Sequence, residues 1–360
     1  MSDMRIGNHS IGKGKPTYII AEMSANHGKD MNKAKDIIRA MKEAGADAVK
    51  LQTYTADTMT IDCNNEYFQI GEGTLWEGMN LFDLYKEAHT PWEWQPELKE
   101  LANSLNMDLF STPFDATAVA FLEEMDVPAY KVASFELTDI PLLRTIGSTG
   151  KPVLMSTGMG TKEEIREAVD TLKNAGTQNI ILLKCTSAYP AALEDADLNT
   201  IPDMRTSFNV DVGLSDHTLG NDVVLGAITL GACVIEKHFC ISRSDKGPDS
   251  AFSLEPHEFK AMVEAVRHAE KNPEAVEVHN AVFGNISYAP AENEIASTMF
   301  RRSLFVVSDM QVGEVFTNSN IRIIRPAHGL PPKDIDKVLG KKATTDILRG
   351  TPLTWDMITA

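Results

Sequence analysis

Cysteine is scarce in this chain of 360 residues: Cys63, Cys185, Cys233 and Cys240 are the only four, and no two sit at a CxxC spacing. That excludes a disulfide framework and a cysteine-built zinc site, and reduced structural thiols are expected. Long apolar runs are missing too. No stretch reaches the roughly 18 uninterrupted apolar residues that a membrane-spanning helix needs. Residues 1–16 are polar and lack the apolar core of a signal peptide. The expectation is a cytoplasmic protein with no membrane partner. Positive charge is in deficit, 34 Lys and Arg against 51 Asp and Glu, for a net charge of −17. This balance argues against nucleic acid as a partner. A phosphorylated ligand would have to be held by a local cluster of cations.

What is present is core material. Apolar residues make up 43% of the chain and charged residues 24%, which suits a folded domain. Short β-branched runs alternate with amphipathic stretches from residue 17 to about residue 270. The expected strands are Thr17–Met23, Ala48–Gln52, Met107–Thr112, Ala129–Ala133, Val153–Thr157, Asn179–Cys185, Val210–Leu214 and Cys233–Phe239. Between them, Ala34, Ile37, Ile38 and Met41 share one helical face, and Thr161 with Glu164 forms a capping box. Strands alternating with helices imply parallel pairing, and eight such units point to a (β/α)8 TIM barrel. A doubly wound open sheet has the same periodicity and stays open at this point.

Two segments interrupt the repeat. Residues 57–95 form a long insertion after the second strand, rich in aromatics such as Trp76, Tyr85 and Trp92. Residues 271–294 are polar and read as a linker, which makes 1–270 the barrel and 295–360 a small compact domain.

Polar residues recur at the strand ends, where a barrel keeps its active site. In order they are Glu22, Lys50 with Gln52, Thr112, Lys131 with Ser134 and Glu136, Ser156, Tyr189, Ser215 with His217, and His238. Lys50 and Lys131 lie within otherwise apolar strands, and burying them is costly without an anion. One reading pairs each lysine with a local carboxylate such as Glu22 or Glu136. The other is a pocket for phosphate and carboxylate, favoured because two lysines recur at equivalent strand positions. His217 and His238 end neighbouring strands, and two imidazoles plus oxygen ligands suit a divalent cation such as Mn²⁺ or Mg²⁺.

The ordered motifs Glu22…Asn26-His27, Lys50-Leu51-Gln52-Thr53, Ser111-Thr112-Pro113-Phe114, Tyr130-Lys131-Val132-Ala133-Ser134, Ser215-Asp216-His217-Thr218 and Glu236-Lys237-His238-Phe239 resemble the sialic acid synthase family. The resemblance runs through Gly247-Pro248-Asp249 into a C-terminal part similar to that family's antifreeze-like (SAF) domain. It implies condensation of phosphoenolpyruvate with an acetamido hexose and water, giving a nine-carbon 2-keto-3-deoxy sugar acid and phosphate. Glu22-Met23-Ser24-Ala25-Asn26-His27 and the insertion containing Gly73-Thr74-Leu75-Trp76 are most similar to the pseudaminic acid branch. The implied sugar is then 2,4-diacetamido-2,4,6-trideoxy-L-altrose, with the N-acetylneuraminate and legionaminate branches as alternatives.

The same resemblance implies roles. Lys50, Thr112, Lys131, Ser134, Ser156 and Ser215 would hold phosphoenolpyruvate, and Gln52, Tyr189 and Asp249 the sugar, with Glu136 also expected to bind substrate. His217 and His238 would be catalytic and hold the metal, and Glu22 would lie near the reacting carbons. Arg325 would reach a partner's site in a domain-swapped homodimer. Ser187 stands where relatives have Asn, and Arg325-Pro326-Ala327-His328-Gly329 departs from an Arg-Pro-Gly-x-Gly pattern. A chemical rival is a Schiff-base aldolase using Lys184.

Overall fold

The computed structural model describes residues 4–72, 75–245 and 247–359; Gly73 and Thr74 of the insertion motif lie outside them. A short hairpin, β1 (Met4–Ile6) and β2 (His9–Ile11), precedes eight parallel strands. These are β3 (Tyr18–Glu22), β4 (Ala48–Thr53), β5 (Asp108–Pro113), β6 (Tyr130–Val132), β7 (Val153–Ser156), β8 (Ile180–Cys185), β9 (Asp211–Asp216) and β10 (Val234–His238). Strand β10 pairs with β3 as well as β9, so the sheet closes into a barrel and the open-sheet alternative falls. Both faces of these strands are covered, by side chains within and helices without, which is why they read as near-continuous apolar runs.

The helices form where the apolar spacing placed them. Helix Met31–Glu43 starts at Asp30, whose carboxylate accepts from the Asn32 and Lys33 amides, and it buries Ala34, Ile37, Ile38 and Met41. Helix Lys162–Ala175 carries the Thr161–Glu164 capping box and ends at Gly176, whose φ of +138° only glycine adopts at little cost. At the N-terminal mouth, His9 Nδ1 and the Tyr18 hydroxyl both lie 2.8 Å from Asp108 Oδ2, tying the hairpin to the barrel floor.

The small domain pairs β11 (Ser303–Val306) with β12 (Ile321–Ile324) and has its own apolar core around Leu304, Phe316, Ile321 and Val338. A second cluster joins it to the barrel: Phe300, Phe305 and Ile324 pack against Tyr54, Met59, Phe68, Leu84 and Tyr85 of the insertion. The segment before it does not cross open solvent. The Leu198 amide bonds the Val282 carbonyl at 3.0 Å, Val282 is buried, and Glu294 is only 4% exposed. Residues 272–300 therefore run along the barrel and deliver the small domain over that barrel's C-terminal mouth. No helix among the described residues is long and apolar enough to cross a membrane.

Candidate active site

The strand ends converge on a cavity between the barrel mouth, the insertion and the small domain. At its floor stands a carboxylate. Glu236 Oε1 lies 2.8 Å from Lys50 Nζ, 3.3 Å from Lys131 Nζ and 3.1 Å from the Ser215 hydroxyl. Burial would raise the Glu236 pKa, but the two ammonium groups hold it well below the usual carboxylate range. Burial pulls Lys50 down to about 7 although Glu236 works against it, and Lys131 adds repulsion. The lysines thus pair with Glu236, and Lys50 also with Glu22 at 2.9 Å, but neither pairs with Glu136. Thr112, Ser134 and Ser156 line the same end, and the buried Ser156 Oγ has no hydrogen-bond partner among the described residues. Two cations and several hydroxyls around one displaceable carboxylate are suited to an anion.

His217 and His238 end β9 and β10 side by side, with ring centroids 5.4 Å apart. His217 Nδ1 lies 2.8 Å from the Thr186 carbonyl, which can only accept, so Nδ1 carries a proton. Burial, then the charges of His217 and Lys50, lower the His238 pKa well below 6.5, and its Nδ1 is buried without a partner. Among the described residues no group of three or more His, Cys, Asp and Glu surrounds one point. These two imidazoles are the nitrogen donors a divalent cation would use here, with substrate or water oxygens completing its shell.

The opposite wall is apolar. Tyr54, Trp76, Leu84, Tyr85, Phe114, Phe135 and Phe300 line it, and Trp76 meets Phe300 edge-on with centroids 5.5 Å apart. Gln52, Tyr189 and Asp249 stand between the two ends. Gln52 Nε2 donates to the Ser24 hydroxyl at 3.0 Å, Ser24 bonds Asp249, and the Tyr189 ring packs on His217 at 4.5 Å. Burial raises the Asp249 pKa, and the Ser24 hydrogen bond offsets part of that rise.

Glu136, Glu22 and Arg325 are all buried. Glu136 is fully buried behind the cavity wall, where Oε1 accepts from Arg325 at 2.7 Å and from Arg302 at 3.4 Å. It anchors the small domain through Oε1, and its Oε2 is buried without a hydrogen-bond partner among the described residues. Glu22 is also fully buried; it accepts from the Ser24 amide and from Gln52, pairs with Lys50, and shares the register level of His238 and Lys50 in the barrel's inward layer. Arg325 lines the pocket of its own chain, flanked by the Phe135 ring at 4.8 Å, because residues 272–300 fold back along that barrel. Lys184 points away from the main cavity, since its neighbour Cys185 takes the inward position on β8, and this removes the geometric basis for the Schiff-base rival.

Residues 37–277 match the NeuB family, and residues 301–359 match the SAF domain. The chain belongs to the NeuB family. A pseudaminic acid synthase of Helicobacter pylori is 42% identical over 96% of this chain and 98% of its own length. An N,N'-diacetyllegionaminic acid synthase of Legionella pneumophila is 35% identical over 97% and 96%. The crystal structure of a spore coat polysaccharide biosynthesis protein of Bacillus subtilis superposes with a TM-score of 0.86 at 30% identity, covering 99% of both chains. That single superposition takes in barrel and small domain together.

This NeuB-family pocket holds residues to which no site role was assigned from sequence. Glu236 shares strand parity with His238, and that shared parity was the available signal. Phe135 and Phe300 had none, because the wall forms only when the small domain docks. Cys185, expected to be a structural thiol, lines the cavity beside His217. Burial pushes its pKa up, but His217, Ser134 and Lys131 bring it down to about 7.

Proposed function

We propose that this chain condenses phosphoenolpyruvate with the open-chain form of 2,4-diacetamido-2,4,6-trideoxy-L-altrose and water, releasing pseudaminic acid and phosphate. The observation that carries this reading is the two-ended cavity, cationic at the floor and aromatic at the opposite wall. Phosphoenolpyruvate supplies two anionic groups for Lys50 and Lys131. The sugar supplies a C6 methyl and two acetyl methyls for an apolar wall, where a C6 hydroxyl would lose its water partners. The 42% identity to pseudaminic acid synthases supports the same choice.

The residues present divide the chemistry. Lys50 and Lys131 exchange Glu236 for the substrate's phosphate and carboxylate, with Thr112, Ser134, Ser156 and Ser215 donating neutral hydrogen bonds. This orients C3 of the enol toward the sugar aldehyde. A divalent cation at His217 and His238, Mn²⁺ or Mg²⁺, would supply Lewis-acid polarisation of that aldehyde. As C3 bonds to the aldehyde carbon, positive charge develops at C2, where the neighbouring Glu236 carboxylate is favourable. Water adds at C2 and gives up its proton, and Glu236 Oε2, buried and without a hydrogen bond, is the open acceptor at this end. The tetrahedral intermediate then breaks its C–O bond and phosphate leaves. Arg325 offers its fork to an acetamido carbonyl. We propose a cytoplasmic setting, consistent with phosphoenolpyruvate as substrate.

Phosphate release from phosphoenolpyruvate, measured with a panel of acetamido sugars, tests the reading. Turnover is expected with the 2,4-diacetamido-2,4,6-trideoxy-altrose. Preference for N-acetylmannosamine, or for the diacetamido sugar of the legionaminate branch, would reassign the branch. Phosphate release with none of them would overturn the reading.

A further inference from the structure

Strand β10 alternates as a barrel strand must: Glu236 and His238 face the cavity, and Lys237 between them faces outward into the layer beneath the helices. Aliphatic side chains normally fill that layer. Lys237 is nonetheless 1% exposed and carries an ammonium group there. Its Nζ lies 2.7 Å from Asp216 Oδ2 and 2.6 Å from the Thr218 carbonyl oxygen. Asp216 in turn accepts from the Thr218 amide at 2.9 Å and from the Thr218 hydroxyl at 3.0 Å. The β9–β10 register sets Lys237 directly opposite Asp216.

An ion pair buried among helices costs desolvation that an apolar pair would avoid, so stability alone does not account for it. What the pair does have is position. Asp216 and Thr218 are the residues on either side of His217, and His238 follows Lys237 in the chain. Lys237 holds the Asp216 side chain before His217 and the Thr218 main-chain carbonyl after it, while the His217 carbonyl accepts from the Ala191 amide at 3.2 Å. With the main chain held at these points, the imidazole keeps Nδ1 on the Thr186 carbonyl, 2.8 Å away, and its ring beside His238, with centroids 5.4 Å apart.

We infer that Lys237 is a positioning residue for the His217–His238 pair, acting through Asp216 and Thr218 to fix which nitrogen of His217 meets a bound cation. The metal half of this inference rests on the cation reading of the two histidines; the positioning half does not. Outer partners of this kind typically change metal affinity about 10–100-fold when removed.

Lys237→Met alone strands a buried carboxylate and can fail to fold, so the test uses Lys237→Met/Asp216→Asn, which removes both charges and keeps their shapes. Two readouts are taken on the full chain. The first is the His217 Nδ1–H resonance in ¹⁵N-histidine-labelled protein, assigned by its loss in His217→Gln. The second is Mn²⁺ binding followed by the fall in free-ion EPR signal. The expected result is an Nδ1–H proton that exchanges at least about tenfold faster, and a Mn²⁺ Kd weakened about 10–100-fold, with Tm held within a few degrees. An unchanged resonance in the double variant overturns the inference. So does an unchanged Mn²⁺ Kd where the wild type binds. If the resonance is lost but the wild type binds no Mn²⁺, the positioning role stands and the cation reading falls.

Discussion

Glu236 and Lys50 face each other across the cavity floor, with Oε1 and Nζ 2.8 Å apart, and the carboxylate occupies the place where a substrate anion is required. Each lysine lies in a barrel strand, so neither can swing away to water when the pocket is empty. Glu236 is the counter-ion that makes two buried ammonium groups tolerable until substrate arrives.

Lys50→Met and Lys131→Met should therefore weaken phosphoenolpyruvate far more than sugar. Losing one partner of a buried charge pair costs about 2–5 kcal/mol, or roughly 30-fold and upward in KM for phosphoenolpyruvate. The pH profile gives a second handle. Lys50 is charged below its pKa of about 7, so kcat/KM for phosphoenolpyruvate should fall as pH rises through that value. Lys50→Arg, which keeps its charge, should flatten the limb even if it lowers the rate. A limb that persists in Lys50→Arg assigns it elsewhere.

Chelation tests the histidines. EDTA should stop phosphate release, and added Mn²⁺ should restore it in the wild type. In His217→Ala and His238→Ala at least about 10²-fold should stay lost, while Tm changes little, because these rings line the cavity and not the apolar core. Near-normal turnover by His238→Ala after chelation and Mn²⁺ return would remove His238 as a ligand.

Arg325 sits 2.7 Å from Glu136 of its own chain, and this makes a prediction about mixed subunits. Arg325→Ala should raise the sugar KM about 10-fold or more. Co-refolding Arg325→Ala with His238→Ala should restore nothing, since every chain then lacks one part of its own pocket. Recovery of about a quarter of wild-type activity would instead place Arg325 in a partner's pocket, because half the dimers would be mixed, each with one complete site.

The barrel was legible because its cause is local. All eight expected strands formed, with ends shifted by a residue or two, since β-branched runs between capped helices carry that pattern in every window. The lysines, serines and histidines were legible for the same reason: each lies in or just after the C-terminal half of a strand, and closure brings those segments together. What was missed depends on contacts distant in sequence. Glu136 reads as one more polar strand end until Arg302 and Arg325, from beyond residue 300, are seen to close on it. The polarity of residues 271–294 reads as a linker, yet the Val282 and Phe283 carbonyls bond barrel amides at Leu198 and Asn199, a pairing no local pattern announces. Phe300 becomes part of the wall only through the docking of the small domain.

The central claim is that this pocket joins phosphoenolpyruvate to an acetamido sugar and expels phosphate by C–O cleavage. It is tested most directly with phosphoenolpyruvate carrying ¹⁸O at the bridging position, turned over with 2,4-diacetamido-2,4,6-trideoxy-altrose and analysed by mass spectrometry. The label is predicted to leave in the released phosphate, with C2 of the sugar acid taking its oxygen from water. Label retained in the sugar acid, or no sugar acid formed while phosphate is released, would contradict the account.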